Sequence, residues 1–197
     1  NAWAQTIEEV IVISSKQAAG ISTQELAGSV VTFNEDALKQ SFTVDLVDIG
    51  KMVANAELNN VGTYASYPNF FIRGMGVNGS TRTNDPKVGI FVDGIYLGYN
   101  PGALASTFDL EAVEVLRGPQ GILFGKNTLA GAINVTTAEP TIGEGTSGKV
   151  AVSLESDDGE MLEAHINHSP SDNLAFRFAV RDRSDGGYMD NPFENGS

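Results

Sequence analysis

Residues 113–137 read VEVLRGPQGILFGKNTLAGAINVTT, and they are the most informative part of the sequence about the fold. Apolar and β-branched residues over 110–116 predict a short helix that passes into a strand, and residues 132–137 predict a second strand. Gly118, Pro119 and Gly121 predict a tight turn after Arg117, and Gly131 allows close packing before the second strand. The stretch therefore predicts two strands joined by a glycine-rich connection.

Upstream of this stretch, the sequence predicts a mixture of strands and short helices. Residues 70–73 and 88–92 predict strands, and the second is followed by the hairpin signal Asp93-Gly94. Residues 34–40 and 45–58 predict helices, because each segment opens with a capping Asn or Asp. Since no strand–helix–strand period recurs, the sequence predicts an α+β domain.

After Pro140, polar and apolar residues alternate along three segments, 150–155, 162–167 and 174–181. Alternation of this kind between turn signals predicts a meander of long strands. Arg177 and Arg181 fall on the polar side of the third strand. A soluble sheet over a core and the strands of a membrane barrel both show this pattern, so the alternation alone leaves both open.

The composition indicates a folded, acidic chain without thiol chemistry. The chain has 197 residues, with 12 Lys and Arg against 25 Asp and Glu, and its formal net charge is −13. Such a charge disfavours a nucleic-acid partner, because the phosphate backbone requires a cationic surface. The absence of Cys excludes disulfides, thiolate metal sites and Cys nucleophiles. No apolar run approaches the ~18 residues of a membrane-spanning helix.

Two glycine-rich motifs match nucleotide-binding signatures only in part. Residues 74–79 fit G-x-G-x-x-G, but the loop formers that follow do not begin the helix that a dinucleotide site needs. Residues 121–127 are one residue short of a phosphate-binding loop, and Asn127 replaces its Ser or Thr. His165 and His168 would face opposite sides of a strand. The sequence predicts no catalytic residue, no metal site and no cofactor.

The N-terminal segment combines a processing signal with an extended apolar run. Ala2 and Ala4 fit the small-residue pattern at the end of a signal peptide. The β-branched residues 10–13 then predict a strand, and the small polar residues 15–23 predict a linker. The run is either a first core strand or an extended segment that pairs with another protein's sheet edge.

Three motifs together are more specific than any of these features: NFFIRGMG at 69–76, VGIFVDGIY at 88–96 and the stretch 113–137. In this order they resemble the plug domain of TonB-dependent outer-membrane receptors. The resemblance implies an α+β plug, a small mixed sheet with short helices, followed by the first antiparallel strands of a truncated outer-membrane β-barrel. It assigns 1–23 to a signal-peptide remnant, Ton box and linker, 24–139 to the plug, and 140–197 to the first three barrel strands.

The resemblance also implies roles for individual residues. The Ton box, which pairs with TonB, would comprise Glu9, Val10, Ile11, Val12 and Ile13. The arginines expected to lock the plug to barrel carboxylates are Arg73 and Arg117. The expected ligand contacts are Arg82, Asn84, Tyr96, Tyr99 and Asn100.

The implied function is the import of a scarce ligand across the Gram-negative outer membrane, without enzymatic activity. The chain would be an N-terminal fragment of the receptor, with the plug inside the barrel and the N-terminus in the periplasm. The implied partners are TonB with its inner-membrane energising complex, a small molecule such as a ferric siderophore, and outer-membrane lipid. Two alternatives stay open: a secreted β-rich binding or adhesion module, and a nucleotide-binding enzyme that uses residues 74–79.

Overall fold

The computed structural model describes residues 11–12, 21–22, 29–41, 43, 45–61, 64–76, 85–98, 107–155 and 159–184. The chain divides into two compact units, Asn1–Ala138 and Glu139–Ser197. Within the described ranges, no helix is long and apolar enough to cross a membrane. The three-part division that the resemblance implies, with boundaries after residues 23 and 139, stays a prediction.

A five-stranded mixed sheet forms the centre of the first unit. In spatial order its strands are β3 (Ser29–Asn34), β9 (Leu110–Arg117), β10 (Gly131–Thr137), β7 (Val88–Val92) and β8 (Ile95–Tyr96). Strand β10 runs antiparallel to β9 and parallel to β7. The VDG motif (residues 92–94) follows from β7, and the LRGP motif (residues 116–119) follows from β9. These two strands are far apart in sequence, but both flank the same central strand, β10.

Two smaller antiparallel sheets accompany the central one. The first comprises β4 (Ala56–Val61), β5 (Tyr64–Ile72) and β6 (Met75–Gly76). The second is a two-residue ladder between β1 (Ile11–Val12) and β2 (Ile21–Ser22). Residues 110–116 are strand throughout, so the helical start predicted for that segment is wrong. The segment pairs with β3 on one side and β10 on the other, and this two-sided pairing outweighs local helical preference.

The helices are short and their starts follow the capping signals. Helix α1 (Glu35–Gln40) begins after Asn34, whose Oδ1 accepts a hydrogen bond from the Ala37 backbone N–H at 2.8 Å. Helix α2 (Leu46–Met52) begins after Asp45, whose Oδ1 accepts from the Asp48 N–H at 3.0 Å. Helix α3 (Gly121–Phe124) is a single turn. On α2, the side-chain hydrogen bond and charge of Asp48 raise the pKa of Lys51.

Helix α2 is shorter than the predicted helix over 45–58. The chain leaves the helix after Met52, Asn55 adopts a left-handed φ of 61°, and β4 follows. Leu58 is therefore buried in a strand, because residues 56–61 form backbone pairs with β5. Gly50 also has a packing role, since a Cβ there would lie 2.8 Å from the Cβ of Leu58. The glycine lets α2 approach β4 closely.

The main core lies on one face of the central sheet. Its buried members include apolar side chains from β7, β9 and β10 together with side chains from both longer helices: Ile90, Val113, Val115, Ile133, Val135, Leu38, Leu46 and Ile49. A smaller cluster comprises Phe91, Leu116 and Ala132, each of which follows or precedes a main-core residue on the same strand. Because successive residues of a strand point to opposite faces, this cluster lies on the other face of the sheet. Both faces of the central strands are therefore buried, so β9 and β10 lack strict alternation.

The second unit is a three-stranded antiparallel sheet in the order β11 (Thr146–Glu155), β12 (Gly159–Ser171) and β13 (Leu174–Ser184). One face is apolar and open, with Leu154 at 80% and Phe178 at 68% exposure. The opposite face is polar, and there Arg181 Nε donates to Glu163 Oε1 at 2.5 Å. The α+β domain followed by antiparallel strands, as the sequence analysis expects, is confirmed.

Candidate functional site

Arg73 follows β5 in a two-residue turn that leads into β6. Arg73 and Gly74 both have positive φ, 53° and 74°, as a type I′ hairpin requires. The Arg73 backbone N–H donates to the Asn55 carbonyl at 2.7 Å, which holds the turn against the residue before β4. Its side chain is exposed. The hairpin therefore places the Arg73 backbone at the end of the small sheet, beside the Ala54–Asn55 turn.

Arg117 reaches the same turn from the central sheet. It is the last residue of β9, and its Nη1 donates to the Ala54 carbonyl at 2.9 Å. A Cβ built on Gly118 would lie 3.4 Å from Nη1 of Arg73, so the Arg73 guanidinium extends to the residue after Arg117. The structure thus brings together the two arginines that the resemblance singles out, although they are far apart in the chain.

The two guanidinium groups leave donors available. Ion pairs between described residues include Lys39–Glu35, Lys51–Asp48 and Arg181–Glu163, and neither site arginine takes part in these three. The Nε of Arg117 is buried without a hydrogen-bond partner. A buried, unpaired donor is costly, and a charged one more so. The exposed guanidinium of Arg73, which takes part in none of these ion pairs, suits an approaching carboxylate, because guanidinium binds carboxylate in bidentate fashion.

The LRGP segment and the loop after it form a compact structure on β9 and β10. The N–H of Gly118 donates to the Ala130 carbonyl and that of Gln120 to the Thr128 carbonyl, both at 2.9 Å. Gly131 has no room for a side chain, because a Cβ there would lie 2.3 Å from the Leu116 carbonyl oxygen. The predicted close packing at Gly131 is confirmed. This packing holds the backbone beside Arg117 in register.

Tyr96 is the one expected ligand contact that lies within the described residues. Its hydroxyl accepts a hydrogen bond from Asn127 Nδ2 at 2.8 Å, and its ring centroid lies 5.4 Å from that of Phe91. The hydrogen bond ties the end of β8 to the loop that follows Arg117. Arg82, Asn84, Tyr99 and Asn100 lie outside the described residues. The ligand assignment stays a prediction for all five side chains.

Asp93 connects its turn to the end of β10, a contact that the Asp-Gly turn signal does not predict. It adopts a left-handed φ of 48° between β7 and β8. Its Oδ1 accepts from the Thr137 N–H and its Oδ2 from the Thr137 hydroxyl, each at 2.9 Å. The Asp-Gly hairpin signal located this residue, but its partner, at the end of β10, is 44 residues away. Asn127 was likewise missed as the partner of Tyr96.

The expected Ton box is described at two positions. Ile11 and Val12 form β1 and pair with Ser22 and Ile21. Their ladder is separate from the central sheet, so it does not form the core strand that the sequence analysis left open. Glu9, Val10 and Ile13 lie outside the described residues, and the Ton-box assignment stays a prediction.

The described residues hold no group of three or more His, Asp or Glu side chains that could bind a metal ion. The G-x-G-x-x-G segment begins within the β5–β6 hairpin, where Gly74 is the second turn residue. A dinucleotide site instead requires the glycines to open a helix. The arrangement at its start therefore does not support a nucleotide site.

The sequence profile of the TonB-dependent receptor plug domain matches residues 22–132, more than half of the chain. The chain belongs to the TonB-dependent receptors. The matched range contains both arginines of the site, the Asp93 hairpin, four strands of the central sheet and the first two residues of β10. The family places the chain in the outer membrane of Gram-negative bacteria, as expected. At the family level, the relatives are transporters and receptors and not enzymes.

Individual relatives extend the comparison into the second unit. The chain is 28% identical to the vitamin B12 transporter BtuB of Vibrio vulnificus over 167 residues, which cover 83% of this chain and 25% of that protein. The ferric yersiniabactin uptake receptor FyuA of Yersinia pestis has a similar structure, with a TM-score of 0.69 at 21% identity, over 78% of this chain and 24% of the other.

The ferripyoverdine receptor of Pseudomonas aeruginosa aligns with a TM-score of 0.71 at 19% identity, over 87% of this chain and 22% of that receptor. At such identities the two structures show a shared fold alone. The chain spans about a quarter of the length of these relatives.

Proposed function

We propose that this TonB-dependent receptor chain supplies the plug and first wall strands of an importer that carries a ferric siderophore, or a similar iron complex, across the outer membrane. Two of its structural neighbours are receptors for ferric yersiniabactin and ferripyoverdine, which supports an iron complex as the ligand class. The similarity to a vitamin B12 transporter makes cobalamin the ligand to test against it. The plug closes the barrel until ligand and TonB engage.

The observation that carries the proposal is the convergence of Arg73 and Arg117 on the Ala54–Asn55 turn. A pair of cations without carboxylate partners among the described residues is unusual in a chain of net charge −13. Carboxylates on the barrel wall would satisfy both guanidinium groups. The two arginines then hold the plug in its closed position through charge-assisted hydrogen bonds.

The apolar face of the second unit supports a place in the membrane wall. Val150, Val152, Leu154 and Phe178 are each more than two-thirds exposed, and such a continuous face is unfavourable in water. In a barrel this face contacts lipid, and the polar face, with Glu163 and Arg181, lines the lumen. Lipid is therefore a proposed partner of the second unit.

TonB is the proposed partner of residues 9–13. The extended conformation of Ile11 and Val12 is the one that strand addition requires, and their ladder with β2 is short. Among the residues that the structure describes, TonB would have two residue pairs to displace. Ligand contacts are proposed for Arg82, Asn84, Tyr96, Tyr99 and Asn100, and Tyr96 would report occupancy through its hydrogen bond to Asn127.

The test is uptake by the full-length receptor in a Gram-negative host that lacks its own importers for the ligands tested. We expect TonB-dependent accumulation of iron from one or more labelled ferric siderophores, and none of labelled cobalamin. Arg73→Gln and Arg117→Gln should each reduce uptake, while Lys126→Gln, which neutralises an exposed cation in the neighbouring loop, should not. Cobalamin uptake would refute the ligand class, and full activity of both arginine variants would refute the lock.

Neither alternative function gains support from the structure. A secreted adhesion module would close its sheet over residues 140–197, whereas the described strands form an open three-stranded sheet with an exposed apolar face. A nucleotide-binding enzyme would begin a helix at residues 74–79, whereas that segment begins within a hairpin.

A further inference from the structure

The segment that precedes β11 folds back onto β12. We call residues 141–145 the connecting segment, because they follow the last residue of the first unit by a few positions. The Thr141 N–H donates to Asn167 Oδ1 at 2.9 Å, and Asn167 Nδ2 donates to the Thr141 carbonyl at 2.9 Å. The side-chain amide of Asn167 thus bonds both the N–H and the carbonyl of Thr141, as a residue of a neighbouring strand would.

A second pair of contacts lies two residues further along both segments. The Gly143 N–H donates to Ser169 Oγ at 2.9 Å, and the Ser169 N–H donates to the Gly145 carbonyl at 2.7 Å. Gly143 and Gly145 have left-handed φ values of 84° and 68°, which allow the chain to bend before Thr146 enters β11. The connecting segment is therefore held at both of its ends.

Burial distinguishes Asn167 from an ordinary polar residue of a strand. It is 2% exposed, although its side chain lies on the polar face that carries Glu163 and Arg181. Buried amides persist where their hydrogen-bonding groups are satisfied, and the Thr141 backbone satisfies both the oxygen and the nitrogen of this one. The two hydrogen bonds between Asn167 and Thr141 resist opening, because the loss of either one would leave a polar group without its partner.

We infer that Asn167, together with Ser169, anchors the connecting segment. Tension applied to the plug is then carried by the hydrogen bonds between Thr141 and Asn167 and is not transmitted to β11. This inference rests on the proposed function, in which TonB pulls on the N-terminus. Without the anchor, the pull would act on Thr146, the first residue of β11, and would separate β11 from β12 one pair at a time. Asn167 is a positioning residue that protects the barrel wall during transport.

Single-molecule extension of the full-length receptor in a membrane tests the inference, with force applied through an N-terminal handle and without TonB or ligand. Residues 141–145 span at most about 17 Å when extended. In the wild type, a final step shorter than about 17 Å should follow extraction of the plug, because the two held ends of the segment are already apart in the folded state. Asn167→Leu should abolish this step, and Ser147→Ala should retain it, because Ser147 lies directly opposite Asn167 on β11 but outside the anchor.

Hydrogen exchange of the same receptor gives a second measurement that does not depend on force. Asn167→Leu should accelerate exchange at the Thr141 amide about tenfold, the scale of one net hydrogen bond, and leave the Ile166 amide unchanged. If Asn167→Leu fails to assemble, Ser169→Ala should accelerate exchange at Gly143, because it removes the acceptor of the Gly143 N–H. It also removes the donor to the Ser171 and Leu174 carbonyls, but leaves both hydrogen bonds between Asn167 and Thr141 in place.

Two outcomes would overturn the anchor: a wild type without the final step, or unchanged exchange at Thr141 and Gly143 in the variants. Because the handle replaces TonB, a failure of the Ton-box or ligand assignment would leave both measurements unaffected. Failure of the anchor and failure of the proposed function are therefore distinguishable.

Discussion

Gly131→Ala is expected to destabilise the plug by acting on the strand pair that positions Arg117. Gly131 opens β10 and lies opposite Arg117. A Cβ there would be 2.3 Å from the Leu116 carbonyl oxygen and 2.7 Å from Ile72 Cδ1. The first of these atoms belongs to the backbone of β9, which is paired on both sides, and Ile72 is fully buried. Neither neighbour can move without a wider rearrangement.

The size of the effect follows from this crowding. Overpacking of a core costs about 1–3 kcal/mol, and a clash with paired backbone belongs at the upper end of that range. For a domain of this size, about 2–3 kcal/mol lowers the melting temperature by roughly 10 °C. Gly121→Ala is the matched control, because a Cβ at that position meets nothing within 4 Å. As Gly121 lies in α3, alanine there should be neutral or stabilising by up to about 1 kcal/mol.

Thermal unfolding of the first unit, residues 1–138, followed by circular dichroism, gives the stability of both variants. The same substitutions in the full-length receptor report whether uptake falls with Gly131→Ala and persists with Gly121→Ala. Equal melting temperatures for the wild type and Gly131→Ala would refute the reasoning, because the contact with the Leu116 carbonyl could then not be as close as the structure shows.

Four further outcomes are expected. Val12→Pro removes a backbone donor and should abolish TonB binding with little change in melting temperature, while Val12→Ile retains binding; a large loss of stability would contradict the Ton-box assignment. Asp93→Ala removes both bonds to Thr137 and should cost about 1–3 kcal/mol in urea unfolding, whereas Asp93→Asn, which keeps one acceptor oxygen and tolerates the left-handed turn, should cost less; equal losses would count against a role for the oxygen that asparagine retains. Arg117→Lys keeps the positive charge but loses the planar guanidinium, so uptake by this variant should fall below uptake by the wild-type receptor. Uptake equal to that of the wild type would exclude bidentate pairing at this position. Residues 139–197 alone should show little amide protection in water, because their sheet has two open edges and an exposed apolar face, and strong protection in a monomer would refute this.

Local signals in the sequence determined most of the secondary structure. Asn34 and Asp45 mark the starts of α1 and α2, because capping depends on residues within one turn. The Asp93-Gly94 pair predicts its hairpin for the same reason, since φ preferences are local. Period-two alternation predicts the three long strands after Pro140, and the order of the IRG, VDG and LRGP motifs identifies the family.

Local signals were insufficient where a distant segment competes for the same residues. The apolar spacing that predicts a helix through Leu58 is real, but pairing with β5 converts residues 56–61 into a strand. Residues 110–116 are likewise strand from their first residue, because β3 and β10 bind both of their edges. Backbone pairing of this kind depends on partners far away in sequence, which no local pattern contains.

The candidate site divides in the same way. Arg73 and Arg117 could be selected from the sequence, because both lie in recognisable motifs. Only the tertiary structure brings both to the Ala54–Asn55 turn and leaves the Nε of Arg117 unpaired. The pairing of Asn167 with Thr141 was also invisible in the sequence. The physical reason is that motif identity is a property of neighbours along the chain, whereas a hydrogen bond between side chain and distant backbone exists only after the strands have paired.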